Sequence, residues 1–362
     1  MGLEMKSILQ SRPRFGLLFG LVTAVVLAAC GNPATANSNG SSGVTLKVGV
    51  YPAVGDDVLL KAAGLDNTPY HVTYVTLATG GLQTQAANQG TIDIGRGSVV
   101  ANVLFGAGSV VNFASVATLK INTNTQSTVV LKDSKVKTVA DLKGRKVAFP
   151  ANTTAQYFLL RQLADAGLSS KDVTLVQLDP ATALAALLSR SVDAYAGFGT
   201  TIDAALAHGA VVLADGGPYL VGKVGALVGS YNAYGPSLKD PAKAAAMVDF
   251  IARVQTALAW SRSHAEAWAT IQSNATKQPY NVVLSTYERG EKAVPSWVGP
   301  VLPEAIANQQ DIADVFYHAG VIAKQIDAKA TYSTQLDANL AAAEASWQSK
   351  YPSWFVAPAW AS

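Results

Sequence analysis

Two stretches of this chain repeat one another at an offset of about 100 residues, and that repeat constrains the fold more than any other feature. Lys146-Val147-Ala148-Phe149 matches Lys47-Val48-Gly49-Val50. Val173-Thr174-Leu175-Val176-Gln177-Leu178 matches Val72-Thr73-Tyr74-Val75-Thr76-Leu77, and Ser191-Val192-Asp193 matches Thr91-Ile92-Asp93. In the first copy a β-rich run over 44–51 stops at Pro52, a helical stretch covers 56–64, and 71–77 reads as a second strand. Gly80-Gly81 then opens a helix that ends at Gly90, ahead of a third strand over 92–94. Each copy is therefore a β-α-β-α-β unit, whose strands run parallel because a crossover helix carries the chain back across the sheet face. Helices over 152–166, with Phe158, Leu159 and Leu163 on one side, and over 182–188 fit the second copy. The expected class is α/β, with two lobes of parallel-rich sheet flanked by helices and a cleft between them.

From Ser237 onward the pattern turns helical, with helices expected over 241–261, 263–273, 280–291, 303–319 and 333–349. These helices need a surface, and the expected arrangement has them finish the first lobe. That lobe then comprises 44–127 and 225–362, and the second comprises 128–224. The chain crosses near 126–130 and returns near 222–230, and two crossing segments make a hinge.

Composition agrees with a folded body, since 49% of the 362 residues are hydrophobic and 14% charged. The single cysteine excludes a disulfide framework, an iron–sulfur cluster and a Cys-rich zinc site, so no cofactor or metal is expected. Most of the net charge of +3 lies in residues 1–29, where Lys6, Arg12 and Arg14 face Glu4 alone, which leaves no basic field for nucleic acid. Those cations precede an apolar run over 15–29, shorter than the roughly 20 residues a helix needs to cross a bilayer. Residues 1–29 therefore read as a signal peptide. The run ends Leu27-Ala28-Ala29-Cys30, which resembles a bacterial lipobox and implies a lipid on the Cys30 sulfur; a buried cysteine closing a core helix is the alternative. Residues 30–43, rich in Gly, Asn and Ser, read as a flexible tether.

In open parallel sheets, ligands bind beyond the carboxyl ends of the strands, where free N–H groups and helix N-termini converge. The repeat puts Tyr51, Gly80, Gly81, Arg96, Gly97 and Ser98 at those ends in the first lobe. In the second it puts Asn152, Thr153, Thr154, Gln156, Phe198, Gly199 and Thr200 there. Asn152-Thr153-Thr154 opens a helix with three polar side chains and unsatisfied donors, which suits the oxygens of a sulfonate, carboxylate or phosphate; plain N-capping is the rival. Arg96 stands between two glycines that let the backbone approach a ligand, and its guanidinium can hold two anion oxygens, although a solvated arginine fits the pattern too. Phe198, between Gly197 and Gly199, can stack on the apolar part of a ligand or pack under its own loop. Asp56 and Asp57 read as a helix start rather than as ligands of an ammonium.

Other motifs fail on their own chemistry. Gly217-Pro218-Tyr219-Leu220-Val221-Gly222-Lys223 has the spacing of a phosphate-binding loop, but Val224 stands where a hydroxyl must hold magnesium and Pro218 lacks an N–H. Gly95-Arg96-Gly97 and Gly106-Ala107-Gly108 lack the third glycine of a dinucleotide fingerprint. His71, His208, His264 and His318 are scattered, with neither a paired-His helix nor a Gly-x-Ser-x-Gly elbow.

Asp141-Leu142-Lys143-Gly144-Arg145-Lys146-Val147-Ala148, Ala166-Gly167-Leu168 and Ser191-Val192-Asp193-Ala194 together resemble the solute-binding proteins of ABC importers in the aliphatic sulfonate, nitrate and taurine group. Ala257-Leu258-Ala259-Trp260 and Ala313-Asp314-Val315-Phe316-Tyr317-His318-Ala319-Gly320 fit the same group, so the resemblance spans nearly all of 44–330. It implies the two-lobed type II periplasmic-binding fold, an oxyanion held between the lobes, and jaw-like closure before docking on a permease. Two departures bear on the ligand. Phe198-Gly199-Thr200-Thr201 replaces a Trp-Asp-Pro-Tyr-like run, and Arg96-Gly97-Ser98 replaces a Tyr-Thr-Gly of some relatives. Losing a carboxylate and gaining a guanidinium favours an anion.

The expectation is a monomeric, lipid-anchored, extracytoplasmic capture protein without catalytic residues. It passes a small organic anion to an ABC permease and its ATPase. That anion is sulfonate-like, with an aromatic sulfonate or sulfinate, an aromatic carboxylate and nitrate as alternatives. An enzyme on the same scaffold and a binding module feeding a sensor are the rival functions.

Overall fold

The computed structural model describes residues 43–108, 110–121, 126–221 and 227–361. The expected signal peptide, Cys30 and nearly all of the tether lie outside the described residues. The first copy of the repeat forms β1 (Thr45–Val50), α1 (Asp56–Ala62), β2 (His71–Thr76), α2 (Gly80–Gln89) and β3 (Ile94–Gly97), and α3 (Val99–Gly108) and β4 (Phe113–Ile121) follow. The chain enters the second copy through β5 (Gln126–Leu131), which precedes β6 (Lys146–Phe149), α4 (Thr154–Asp165), β7 (Thr174–Gln177), α5 (Pro180–Leu188) and β8 (Ala194–Phe198). Then come α6 (Thr200–Ala207), β9 (Ala210–Asp215), α7 (Gly217–Val221) and β10 (Leu227–Tyr234). The helical region comprises α8 (Gly235–Lys239), α9 (Pro241–Ser263), α10 (Ala265–Thr276) and α11 (Tyr280–Ala293), followed by β11 (Trp297–Gly299), α12 (Pro303–His318) and α13 (Asp337–Lys350).

Two sheets result, in the orders β11-β4-β10-β3-β1-β2 and β7-β6-β8-β5-β9. The repeat strands pair in parallel, β1 with β2 and β3, and β6 with β7 and β8. Each sheet also contains one antiparallel insertion, β10 between β3 and β4, and β5 between β8 and β9. In both cases the insertion is the first strand formed after the chain arrives from the other sheet, so each sheet is completed by a strand that follows a crossing. The crossing was expected near 126–130, but Gln126–Leu131 is already a strand of the second sheet. The links themselves, 122–125 and 222–226, lie outside the described residues.

The repeat extends to backbone conformation. Left-handed φ values occur at Ala53 and Asn152 after the first strands, at Gly64 and Gly167 after the first helices, and at Gly90 and Arg190 after the second helices. Each third strand starts two residues later than the sequence suggests, because the preceding residues are used in a turn. The N–H groups of Thr91 and Ile92 return to the Ala86 carbonyl, and those of Ser191 and Val192 to the Ala186 carbonyl. Asp93 then accepts from the Lys47 amide at 2.8 Å and Asp193 from the Lys146 amide at 2.9 Å. Consequently Gly95, Arg96 and Gly97 lie inside β3, and Gly197 and Phe198 inside β8.

α9 supplies Met247, Phe250, Ile251 and Val254 to the core beneath the first sheet. Its capping follows from sequence, with Pro241 at the first position and the Asp240 carboxylate accepting from Ala242 and Lys243 amides. The C-terminal helices do not pack on the first sheet alone. Ile312, Ala313 and Phe316 of α12 share one core with Val100 of α3 and with Phe158 and Leu159 of α4. Asp311, also on α12, accepts from the Tyr157 hydroxyl and from Arg161 at 2.8 and 2.9 Å, so α12 ties α4 of the second sheet to the first lobe.

Candidate functional site

At the carboxyl ends of the first sheet the structure brings Tyr51, Gly80 and Ser98 together. A Cβ on Gly80 would lie 3.1 Å from the Tyr51 hydroxyl and 3.3 Å from the Ser98 Cβ and nitrogen, so the ring and the turn sit tightly against this glycine. Among the described residues the Tyr51 hydroxyl has no hydrogen-bond partner, which leaves a donor free for a ligand. Burial raises its pKa, and of the two nearby charges Arg96 lowers it while Asp56 raises it. The hydroxyl therefore stays protonated at neutral pH. Gly81 sits on the first turn of α2, beside the cap made by the Thr79 hydroxyl and the Leu82 amide.

Arg96 is half-buried and already paired. Its Nη2 donates to Asp56, and its Nε donates to the Tyr231 hydroxyl at 3.0 Å. Tyr231 in turn donates to the second Asp56 oxygen at 2.7 Å. Desolvation opposes the arginine charge, but the adjoining carboxylate and phenol outweigh it and raise the Arg96 pKa. Burial pushes the Tyr231 pKa well above its ordinary value. The flanking glycines serve packing: a Cβ on Gly95 would meet the Gln83 amide oxygen at 2.8 Å, and one on Gly97 would meet the Asn232 amide at 2.2 Å. That Gln83 oxygen accepts the Arg96 amide at 2.8 Å, and the fully buried Gln83 Nε2 has no partner among the described residues.

In the second lobe Asn152 takes the left-handed conformation and its amide donates to the Gln156 side chain at 2.7 Å. Thr153 occupies the N-cap of α4, yet its hydroxyl donates backward to the Pro150 carbonyl at 2.6 Å and caps nothing. The first-turn amides of α4 thus have no side-chain cap, and a helix of this length draws negative charge to such an end. Thr154 donates to the Gln126 side chain at 2.7 Å, and Gln126 pairs in register with Phe198, which joins the three residues at the carboxyl end of β8. Phe198 is half-buried and packs against the second-lobe core. Gly199 has φ of 62° and ψ of −147°, a region open essentially to glycine, while Thr200 is exposed at the start of α6.

Tyr231 and Gln126 go unmarked in the sequence, and Asp56 stands out there only as the start of a helix. Asp56 looks like an ordinary helix-starting acid, and nothing in local spacing places Tyr231 beside Arg96, 135 residues away. A separate hollow of about 320 Å³ lies at the opposite, amino ends of β6 and β8. Its Arg190 and Arg145 are already matched to Asp133 and Asp193, at 2.6 and 3.7 Å.

Residues 60–214 match the family described as NMT1/THI5 like. An aliphatic sulfonates-binding protein of Escherichia coli (strain K12) is 31% identical over 292 residues, covering 79% of this chain and 88% of that protein. The chain belongs to this family of SsuA-like binding proteins of ABC importers. The crystal structure of the periplasmic aliphatic sulphonate binding protein SsuA from Escherichia coli superposes with a TM-score of 0.69 at 28% identity, over 80% of this chain and 92% of that one. The alkanesulfonate-binding protein SsuA from Xanthomonas axonopodis pv. citri, bound to MOPS, gives 0.68 at 25% identity, over 80% of this chain and 98% of that one. The α/β, two-sheet architecture is thus the family's own. The desulfurization enzyme DSZB shares it at 16% identity with a TM-score of 0.59, over 82% of this chain and 99% of that one, so the fold alone does not separate binder from enzyme.

Proposed function

We propose that this protein is an exported, lipid-anchored solute-binding protein that captures a small sulfonate-like anion and delivers it to an ABC permease and its ATPase. The kinship with aliphatic sulfonate-binding proteins over 79% of the chain carries this reading. In the proposed site, Tyr51, Gly80, Gly81, Arg96, Gly97 and Ser98 face the ligand from the first lobe. Asn152, Thr153, Thr154, Gln156, Phe198, Gly199 and Thr200 do so from the second. The free Tyr51 hydroxyl and the uncapped start of α4 supply neutral donors for the anion oxygens. Tyr51 and Phe198 offer ring faces, which extends the candidate ligands to an aromatic sulfonate or sulfinate. None of these residues is a cysteine or histidine, in keeping with capture rather than turnover. The lipid on Cys30 would hold a monomer at the outer face of the cytoplasmic membrane, with residues 30–43 as its tether.

Protein lacking residues 1–30 is expected to gain thermal stability with at least one member of a panel of sulfonates and sulfinates, because a ligand that binds only the native state raises the melting temperature. Aromatic carboxylates and nitrate complete the panel. A flat response, together with turnover of any member, overturns the reading. For the anchor, Cys30→Ala is expected to release the protein from the membrane fraction, and an unchanged distribution argues against lipidation.

A further inference from the structure

We infer that Asp56 sets the charge selectivity of this site, admitting a singly charged oxyanion and refusing a doubly charged one such as sulfate; the inference rests on the anion-capture reading above. Arg96 is the only charged side chain among the proposed ligand residues, and it does not present an unbalanced charge. Asp56, 1% exposed, takes the guanidinium Nη2 on one oxygen and the Tyr231 hydroxyl, at 2.7 Å, on the other. Tyr231 remains protonated, so the triad of carboxylate, guanidinium and phenol is neutral as a unit. What is left for a ligand consists of dipolar donors: the Tyr51 hydroxyl, the uncapped amides of α4, and the arginine Nη1, which has no acceptor among the described residues. Such donors can spread one negative charge over several hydrogen bonds. A second charge taken out of water calls for a cation of its own, and the one cation among the proposed ligand residues, Arg96, is already matched.

The test is calorimetric titration of the whole protein with methanesulfonate and with sulfate at neutral pH. The wild type is expected to bind the sulfonate at least about 100-fold more tightly. Asp56→Asn leaves the arginine unbalanced and is expected to narrow that ratio about tenfold or more, chiefly by gained sulfate affinity. A double variant, Asp56→Met with Arg96→Met, removes both charges together with one ligand donor, so it is expected to weaken both anions while keeping their ratio within about threefold, and exchange of a buried ion pair for apolar residues is commonly tolerated by the fold. This pattern separates a charge effect from mere support of Arg96, which predicts equal losses for both anions. Equal binding of the two anions by the wild type overturns the proposal, as does an unchanged ratio in Asp56→Asn. If Asp56→Asn does not fold, a collapsed ratio in the double variant overturns it. Wild-type binding of nitrate or benzoate without any sulfonate overturns the sulfonate reading alone, and the ratio to sulfate is then read on that anion. No anion binding at all overturns both.

Discussion

The two copies of the repeat follow one backbone path and differ in what they bury. Both turn a left-handed corner after their second helix, at Gly90 (φ 72°) and Arg190 (φ 62°). A Cβ on Gly90 would come within 2.8 Å of the Tyr234 ring, whereas Arg190 reaches outward to Asp133 at 2.6 Å. Both place an aspartate on a lysine amide of the neighbouring strand, Lys47 within β1 and Lys146 at the start of β6. Asp93 is then covered by Ser237 and by Lys243 of α9, at 2.5 and 2.7 Å, while Asp193 stays partly exposed beside Arg145. At the strand ends the first copy holds the Asp56–Arg96 pair, closed by Tyr231 of β10, and the second holds hydroxyls, amides and the exposed Asp179 carboxylate that caps α5. The first copy buries its charges because β10 supplies Tyr231 and α9 supplies Lys243, whereas Asp311, which α12 supplies to Arg161 of the second copy, forms a pair that stays partly exposed.

The largest contrast is expected between Arg96→Ala and Thr154→Ala. Arg96→Ala strands the Asp56 carboxylate and should cost about 3–5 kcal/mol of stability along with most of the ligand-induced thermal shift. Thr154→Ala loses one hydrogen bond, worth about 1 kcal/mol, and should weaken binding about tenfold or less. Equal losses in thermal shift would break the claim that charge is concentrated in the first copy. Next, Asp93→Asn should lower stability by about 2–3 kcal/mol in urea melts, and Asp193→Asn by about 1 kcal/mol or less, because its ion pair is solvated.

The acid limb sharpens that second comparison. Burial works to raise the Asp93 pKa, but Lys243, the Ser237 hydroxyl and the Lys47 amide outweigh it and hold the value below the ordinary 3.8. A carboxyl whose folded value is depressed contributes stability above its unfolded value and loses it as pH falls through the folded one. The gap between wild type and Asp93→Asn should therefore be flat from about pH 5 to 8 and shrink below about pH 4. A gap that persists undiminished at about pH 2 would show that the carboxylate charge is not its source. The smallest effects concern the corners. Gly90→Ala should cost about 1–2 kcal/mol through strain and the Tyr234 contact, and Arg190→Gly should stay within about 1 kcal/mol of wild type.

Much of this architecture is legible in the residues. Helix α9 was expected over 241–261 and ends at Ser263, because Asp240-Pro241 is a strong start and the apolar spacing persists to Trp260. The third strands were placed early, because Ile92 and Val192 are buried and β-branched yet serve in turns whose amides point back to the preceding helix. At the candidate site, Gly80 lies against Tyr51 and Ser98. Arg96 was recognised as a charge near strand ends but not as one already paired, since its partners come from α1 and from the antiparallel strand β10.

The order of residues by itself determines that this chain forms two β-α-β-α-β units with donors at their strand ends, because hydrophobic period, helix caps and left-handed corners are local properties. Only the tertiary structure decides which of those donors remain free. Whether a charge is available depends on what folds against it from elsewhere in the chain, and Asp56 and Tyr231 reach Arg96 through packing that no local pattern encodes.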